Sequence, residues 1–261
     1  MLRDLLIIGV MLSCSRAMLW CVCRLDRGFA GTGEYSRKML HVGMGLLLCP
    51  LPWLFDRPWP VVLLCGVYVG LLVARRFLVA LDNHVGSVID GVGRRSVGEF
   101  LFPIAVAIVF VLARGDRSAF VASMLVLTLA DAAAAVVGRR YGLCHYASPG
   151  GCKSVEGSLA FATVAFASTH LTLLLLGGAG RVECVLIALI VALVTMMAEA
   201  LVTGGWDNLV LPIGTFGILK LTSGLGVGGL AGASAGTLTT SLAMVGILAI
   251  RSWVGREART A

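Results

Sequence analysis

Apolar residues run along this chain in long blocks. The blocks fall at roughly residues 4–23, 39–55, 59–80, 100–114, 118–138, 157–178, 182–203, 208–222 and 225–250, with short polar stretches between them. A helix that crosses a bilayer needs about 20 mostly apolar residues. The pattern therefore predicts an all-α, polytopic transmembrane helix bundle of eight or nine spans, with 1–261 a single integral membrane domain. The first block has a short apolar centre and no small-residue cleavage pattern after it, so it reads as an uncleaved span. The eighth is short and contains Pro212 and Gly214, which predicts a broken or re-entrant helix. In "SGLGVGGLAGASAG" (223–236), Gly224, Gly226 and Gly229 have dinucleotide-fingerprint spacing but no expected strand context. Gly228, Gly232 and Gly236 recur every four residues, a spacing that lets helices pack closely in lipid.

Composition supports the membrane reading. The chain is 58% hydrophobic and 13% charged, against about 25% charged in a soluble domain. Its net charge of +7 comes from basic residues in loops, with no aromatic-interleaved basic patch, so topology explains it and nucleic acid is not a partner. With the N-terminus outside, Arg24, Arg27, Arg37, Lys38, Arg94, Arg95, Arg139, Arg140 and Lys153 lie on the cytoplasmic side. Arg3, Arg57, Arg114, Arg117, Arg181 and Lys220 lie on the other. Six of the eight cysteines sit in or beside apolar runs, where cysteine acts as a small hydrophobe. Cys144, Cys152 and His145 fall short of a four-ligand zinc set.

The candidate chemistry gathers on that basic side. Asp131 stands in an apolar helix, in "DAAAAVVGRRYG" (131–142). A carboxylate at membrane depth costs several kcal/mol unless offset. It reads as a magnesium or phosphate-site residue, with a polar interhelix contact or proton relay as the alternative. Arg139 and Arg140 follow; they either mark topology or supply forks that match phosphate oxygens. "GGCKSVEGS" (150–158) resembles half a P-loop. The Walker pattern fails because Cys152 precedes the lysine, and no strand is expected before it. Its physical content remains: Gly151 and Gly157 free backbone N–H groups, Lys153 adds a point charge, and Ser154 caps a helix whose N-terminus favours anions. Glu156 is placed to hold a metal ion or a lysine. His41 lies one turn inside the second run, equally readable as an interhelix contact or a site residue. Glu99 stands at the mouth of the fourth run, Glu199 lies inside the seventh, and Asp207 and Asn208 follow beside Pro212, all on this side. Carboxylates, cations and glycines on one membrane face make up the set that phosphoryl transfer uses.

"RKMLHVGMG", "DAAAAVVGRRYG", "KSVEGS" and "DNLVLP", in that order over residues 37 to about 215, resemble the polyprenol, dolichol and phytol kinase family, whose superfamily includes phosphatidate cytidylyltransferases. The resemblance implies transfer of a phosphate from a nucleoside triphosphate, commonly CTP with ATP as the alternative, to a membrane lipid alcohol, with Mg²⁺ as cofactor. It implies Asp131, Lys153 and His41 as catalytic residues and Asp131 and Glu156 as metal ligands. Arg37, Lys38, Arg139, Arg140, Gly151, Ser154, Glu156, Gly157, Asp207 and Asn208 would bind nucleotide and phosphate. The cytidylyltransferases carry K-D, H-G-G and D-R-x-D runs that residues 200–261 lack. A transporter using Asp131 and Glu199 as ion sites is the alternative from a different class.

Overall fold

A computed structural model describes residues 1–26, 33–77, 97–149 and 151–260. Arg27, Arg94, Arg95 and Gly150 lie outside the described residues. Within the described residues each apolar block is largely helical. α1 (Leu2–Asp26) leads to α2 (Gly33–Leu48), the short α3 (Leu51–Leu54), α4 (Pro58–Phe77) and α5 (Gly98–Ala113). The chain then turns through Arg114 and Gly115, both at positive φ, into α6 (Arg117–Leu125). Asp116 caps α6 by accepting from the Ala119 N–H at 3.0 Å. α6 continues through a π-helical turn (Val126–Ala130) into α7 (Asp131–Tyr141).

Two short strands follow, β1 (His145–Ser148) and β2 (Gly151–Ser154), paired antiparallel with Tyr146 opposite Lys153. They are a small exception to the all-α expectation and place a strand directly before the Lys153–Ser154 helix mouth, where none was expected. α8 (Val155–Leu176), α9 (Arg181–Leu201), α10 (Asp207–Thr222) and α11 (Val227–Thr260) complete the bundle. α10 runs unbroken with Pro212 inside it, so the broken helix predicted there is not found. Pro212 stands early in α10, where the missing proline N–H disturbs only the first turns.

Five segments are long and apolar enough to cross a membrane: Leu2–Leu25, Arg117–Tyr141, Val155–Leu176, Arg181–Leu201 and Val227–Ile247. Pro58–Ala74 and Gly98–Ala113 are apolar but shorter. α2 and α10 have 16 residues each, about 24 Å at 1.5 Å per residue. The described residues thus fit a multi-pass membrane protein but do not confirm eight or nine spans.

The helix over residues 117–141 is the bundle's centre. Phe120, Met124 and Leu127 are fully buried along it, against Phe161 of α8 and Leu211 of α10. Outer positions such as Leu6 and Leu175 remain apolar and exposed, as a hydrocarbon-facing surface requires. This central helix also fixes the two ends of the molecule. At its start Asp116 pairs with Lys220, near the end of α10. The start of α10, and with it Asp207, therefore sits toward the other end, with α7 and the hairpin.

Candidate active site

Asp131 is the first residue after the π-helical turn. A π turn bonds i to i+5 and widens the helix locally; such turns recur at functional sites. α2 packs against it. Gly45 lies so close to Thr128 of the turn that no β-carbon would fit between them. That approach brings Lys38 Nζ onto Asp131 Oδ2 as a buried ion pair. One turn further along α2, His41 Nε2 stands 3.9 Å from the same oxygen and 3.3 Å from the Leu127 carbonyl. A carbonyl only accepts, so Nε2 carries the proton and Nδ1 is left for other work. Phe102 of α5 meets the imidazole edge-on, with 5.1 Å between ring centroids. The countercharge on Lys38 offsets the cost of Asp131 at this depth. Two titratable side chains, Lys38 and His41, thus lie against the Asp131 carboxylate.

Asp207 opens α10 and lies within electrostatic reach of Asp131, Lys38 and Lys153. The turn before it uses Gly204 and Gly205 at φ 71° and 94°, a region that favours glycine. Asn208 Nδ2 donates to the Gly98 carbonyl at 3.0 Å, fastening α10 to the start of α5. Its amide nitrogen thus has a structural partner. Arg37 lies in the field of Asp131.

The hairpin is tied to the end of α9. Lys153 Nζ donates to Glu199 Oε1 at 2.7 Å and to the Glu199 carbonyl. Ser148 Oγ donates to the Ala200 carbonyl at 2.8 Å. Tyr146 is bound to Ser158 Oγ of α8 at 2.7 Å, and burial first, then the nearby Glu199, raise its phenol above the ordinary value. Ser154 caps α8 as expected, accepting from Gly157 N–H at 3.1 Å. Glu156 is turned elsewhere. Its two carboxylate oxygens accept from Cys144 N–H at 3.0 and 3.3 Å, bracing the hairpin's entry.

The motif glycines have a packing reason. A β-carbon on Gly157 would meet the Ala134 carbonyl at 3.0 Å and Gly138 Cα at 3.1 Å. Gly138 and Gly157 thus let α7 and α8 touch at their backbones beside the site. Gly151 takes φ 130°, which a side chain would strain. Arg139 and Arg140 are exposed at the end of α7, with Arg140 over the Tyr141 ring at 5.5 Å.

The structure therefore gathers Asp131, Lys38 and His41 into direct proximity and sets Asp207 beside them. It gives Lys153, Glu156, Asn208 and Gly157 intramolecular partners or packing roles. Sequence reasoning missed the Lys38–Asp131 pairing and left Glu199 outside the site. Glu199 had a visible signal, a carboxylate inside an apolar run; the pairing and the π turn had none. Among the described residues no group of three or more His, Cys, Asp and Glu forms a metal cage. Magnesium commonly uses only one or two carboxylates together with substrate phosphates. Asp131 and Asp207 can supply such a donor pair; Glu156 spends part of its capacity on the Cys144 backbone.

The chain is 27% identical over 195 residues to a phytol kinase of Synechocystis sp., covering 73% of this chain and 80% of that one. That relative supports assignment to the polyprenol and phytol kinase family. No family model matches the chain, and no solved structure matches it.

Proposed function

We propose that this protein is an isoprenoid-alcohol kinase that transfers the γ-phosphate of CTP, or another nucleoside triphosphate, to a membrane alcohol such as phytol or dolichol. The observation that carries the reading is the buried Asp131–Lys38–His41 cluster beside Asp207, at the same end of the bundle as Lys153 and the arginines. In the reaction the alcohol oxygen bonds to the γ-phosphorus. The bond from that phosphorus to the β-phosphate oxygen breaks, a nucleoside diphosphate leaves, and the hydroxyl proton is taken up. Asp131 and Asp207 would hold Mg²⁺, which supplies charge neutralisation on the phosphates when bound. Arg37, Arg139 and Arg140 carry forked donors that suit phosphate oxygens, and Lys38 and Lys153 add point charges. His41 Nδ1 or an Asp131 oxygen is the acceptor for the hydroxyl proton. The basic residues of the sequence at this end support a cytoplasmic site.

Purified protein in mixed lipid, given Mg²⁺, γ-labelled CTP or ATP, and phytol, dolichol or diacylglycerol separately, tests the reading. Label should enter an isoprenoid alcohol and not diacylglycerol. CDP-lipid and pyrophosphate formed from phosphatidate and base-labelled CTP, with no alcohol phosphate, would instead establish a cytidylyltransferase.

A further inference from the structure

We infer that a groove between α2 and α7 seats the hydroxyl-proximal isoprene units of the alcohol, while the rest of its chain lies in the bilayer. The inference rests on the kinase reading above and names the substrate's path into that site. The groove has a volume of about 340 Å³. Tyr35, Met39 and Val42 line it at successive turns of α2, and Ala132 and Val136 line it one turn apart on α7. Its remaining lining residues are Gly43 and Lys38.

Three features select the occupant. First, among the described residues the lining carries a single charge, Lys38, which is the residue paired with Asp131. The polar end of the groove is therefore the catalytic cluster itself, and Ala132 is Asp131's chain neighbour. Second, the mouth is apolar and outward-facing: Met39 is 54% and Tyr35 43% exposed. In a multi-pass bundle such a surface meets hydrocarbon, so the groove opens sideways to lipid. A nucleotide is poorly served by it, because among the described residues it offers one cation, the Tyr35 hydroxyl and otherwise apolar surface. An amphipath with one hydroxyl and a branched apolar body matches both ends. Third, the volume sits at the low end of the roughly 300–1,000 Å³ of small-molecule sites. It has room for the head of a long alcohol and not for its length. Gly43 lets α1 pack closely behind the groove; a β-carbon there would press on the Met18 side chain of α1. The enzyme should therefore sense branching and unsaturation near the hydroxyl and be indifferent to how many units follow.

The test uses the full chain in lipid nanodiscs and a prenyl alcohol bearing a diazirine in its first isoprene unit. Photolabel should map to residues 35–43 and 132–136; label confined to other helices overturns the inference. Val42→Trp and Val136→Trp should each raise KM for phytol about tenfold, with nucleotide KM and thermal midpoint unchanged. Unchanged phytol KM in both folded variants overturns it as well. Labelling needs no turnover. Wild-type protein that phosphorylates no isoprenoid alcohol would sink the kinase reading, while the label map still decides the groove.

Discussion

At the scale of single residues, Asp131 shows what a sequence reveals and what it hides. Its position in a run of alanines made it conspicuous because an unpaired carboxylate at membrane depth is expensive. Its partner was not legible: Lys38 lies 93 residues away, and only the packing of α2 on the π turn joins them. The pairing makes a prediction that separates stability from chemistry. Lys38→Met leaves Asp131 buried without a countercharge and should cost about 3–5 kcal/mol. Asp131→Asn should lower activity at least about 10²-fold. Combining Lys38→Met with Asp131→Asn should recover most of the lost stability in a detergent melt and none of the activity. A double variant no more stable than Lys38→Met would remove the ion pair from the account. Glu156 and Asn208 teach the converse. Their residue types and spacing fitted a ligand shell, but backbone groups on Cys144 and Gly98 take part of their capacity, and no local pattern announces such partners.

At the scale of elements, the apolar blocks located the helices well, because a bilayer-sized hydrophobic run has few other fates. The interruptions were harder to read. The π turn depends on tertiary packing around Thr128, whose hydroxyl bonds back to the Met124 carbonyl at 2.7 Å. The hairpin's four-residue strands are too short and polar to show alternation. Two predictions belong here. Gly157→Ala would gain about 1 kcal/mol of helix propensity, but the backbone of α7 cannot retreat from the new methyl. The net effect should be a loss of roughly 1–3 kcal/mol, read as a lower thermal midpoint. Glu199→Gln weakens the tie that holds β2 to α9. Charge-assisted hydrogen bonds contribute about 1.5–3 kcal/mol, so amide exchange over residues 145–154 should speed at least about tenfold, with the Lys220 end of α10 unchanged. Equal exchange in both proteins would mean the hairpin is held by its other contacts.

At the scale of the whole molecule, the chain separates two electrostatic ends. Far from the cluster, burial alone would raise the Asp116 carboxyl. Lys220, the Ala119 N–H and the Ser118 hydroxyl outweigh that and hold it below the ordinary carboxylate range. A carboxyl lowered in the folded state stabilises above its unfolded pKa, and that contribution is lost as pH falls through the folded value. The pair is partly exposed, so its share should stay below about 1 kcal/mol. Asp116→Asn should flatten the acid limb of the melting profile while leaving the pH profile of activity unmoved. Movement of the activity profile would show that the two ends are coupled. The long separation of Lys38 from Asp131 also has a consequence for how the protein is made. Lys38 leaves the ribosome well before its counterion exists, and α3 to α6 must be threaded into the membrane in the interval. A nascent chain halted before residue 131 holds a lysine whose native partner has not been synthesised, so α2 stays provisional, prone to slip toward the aqueous face until the aspartate arrives to anchor it.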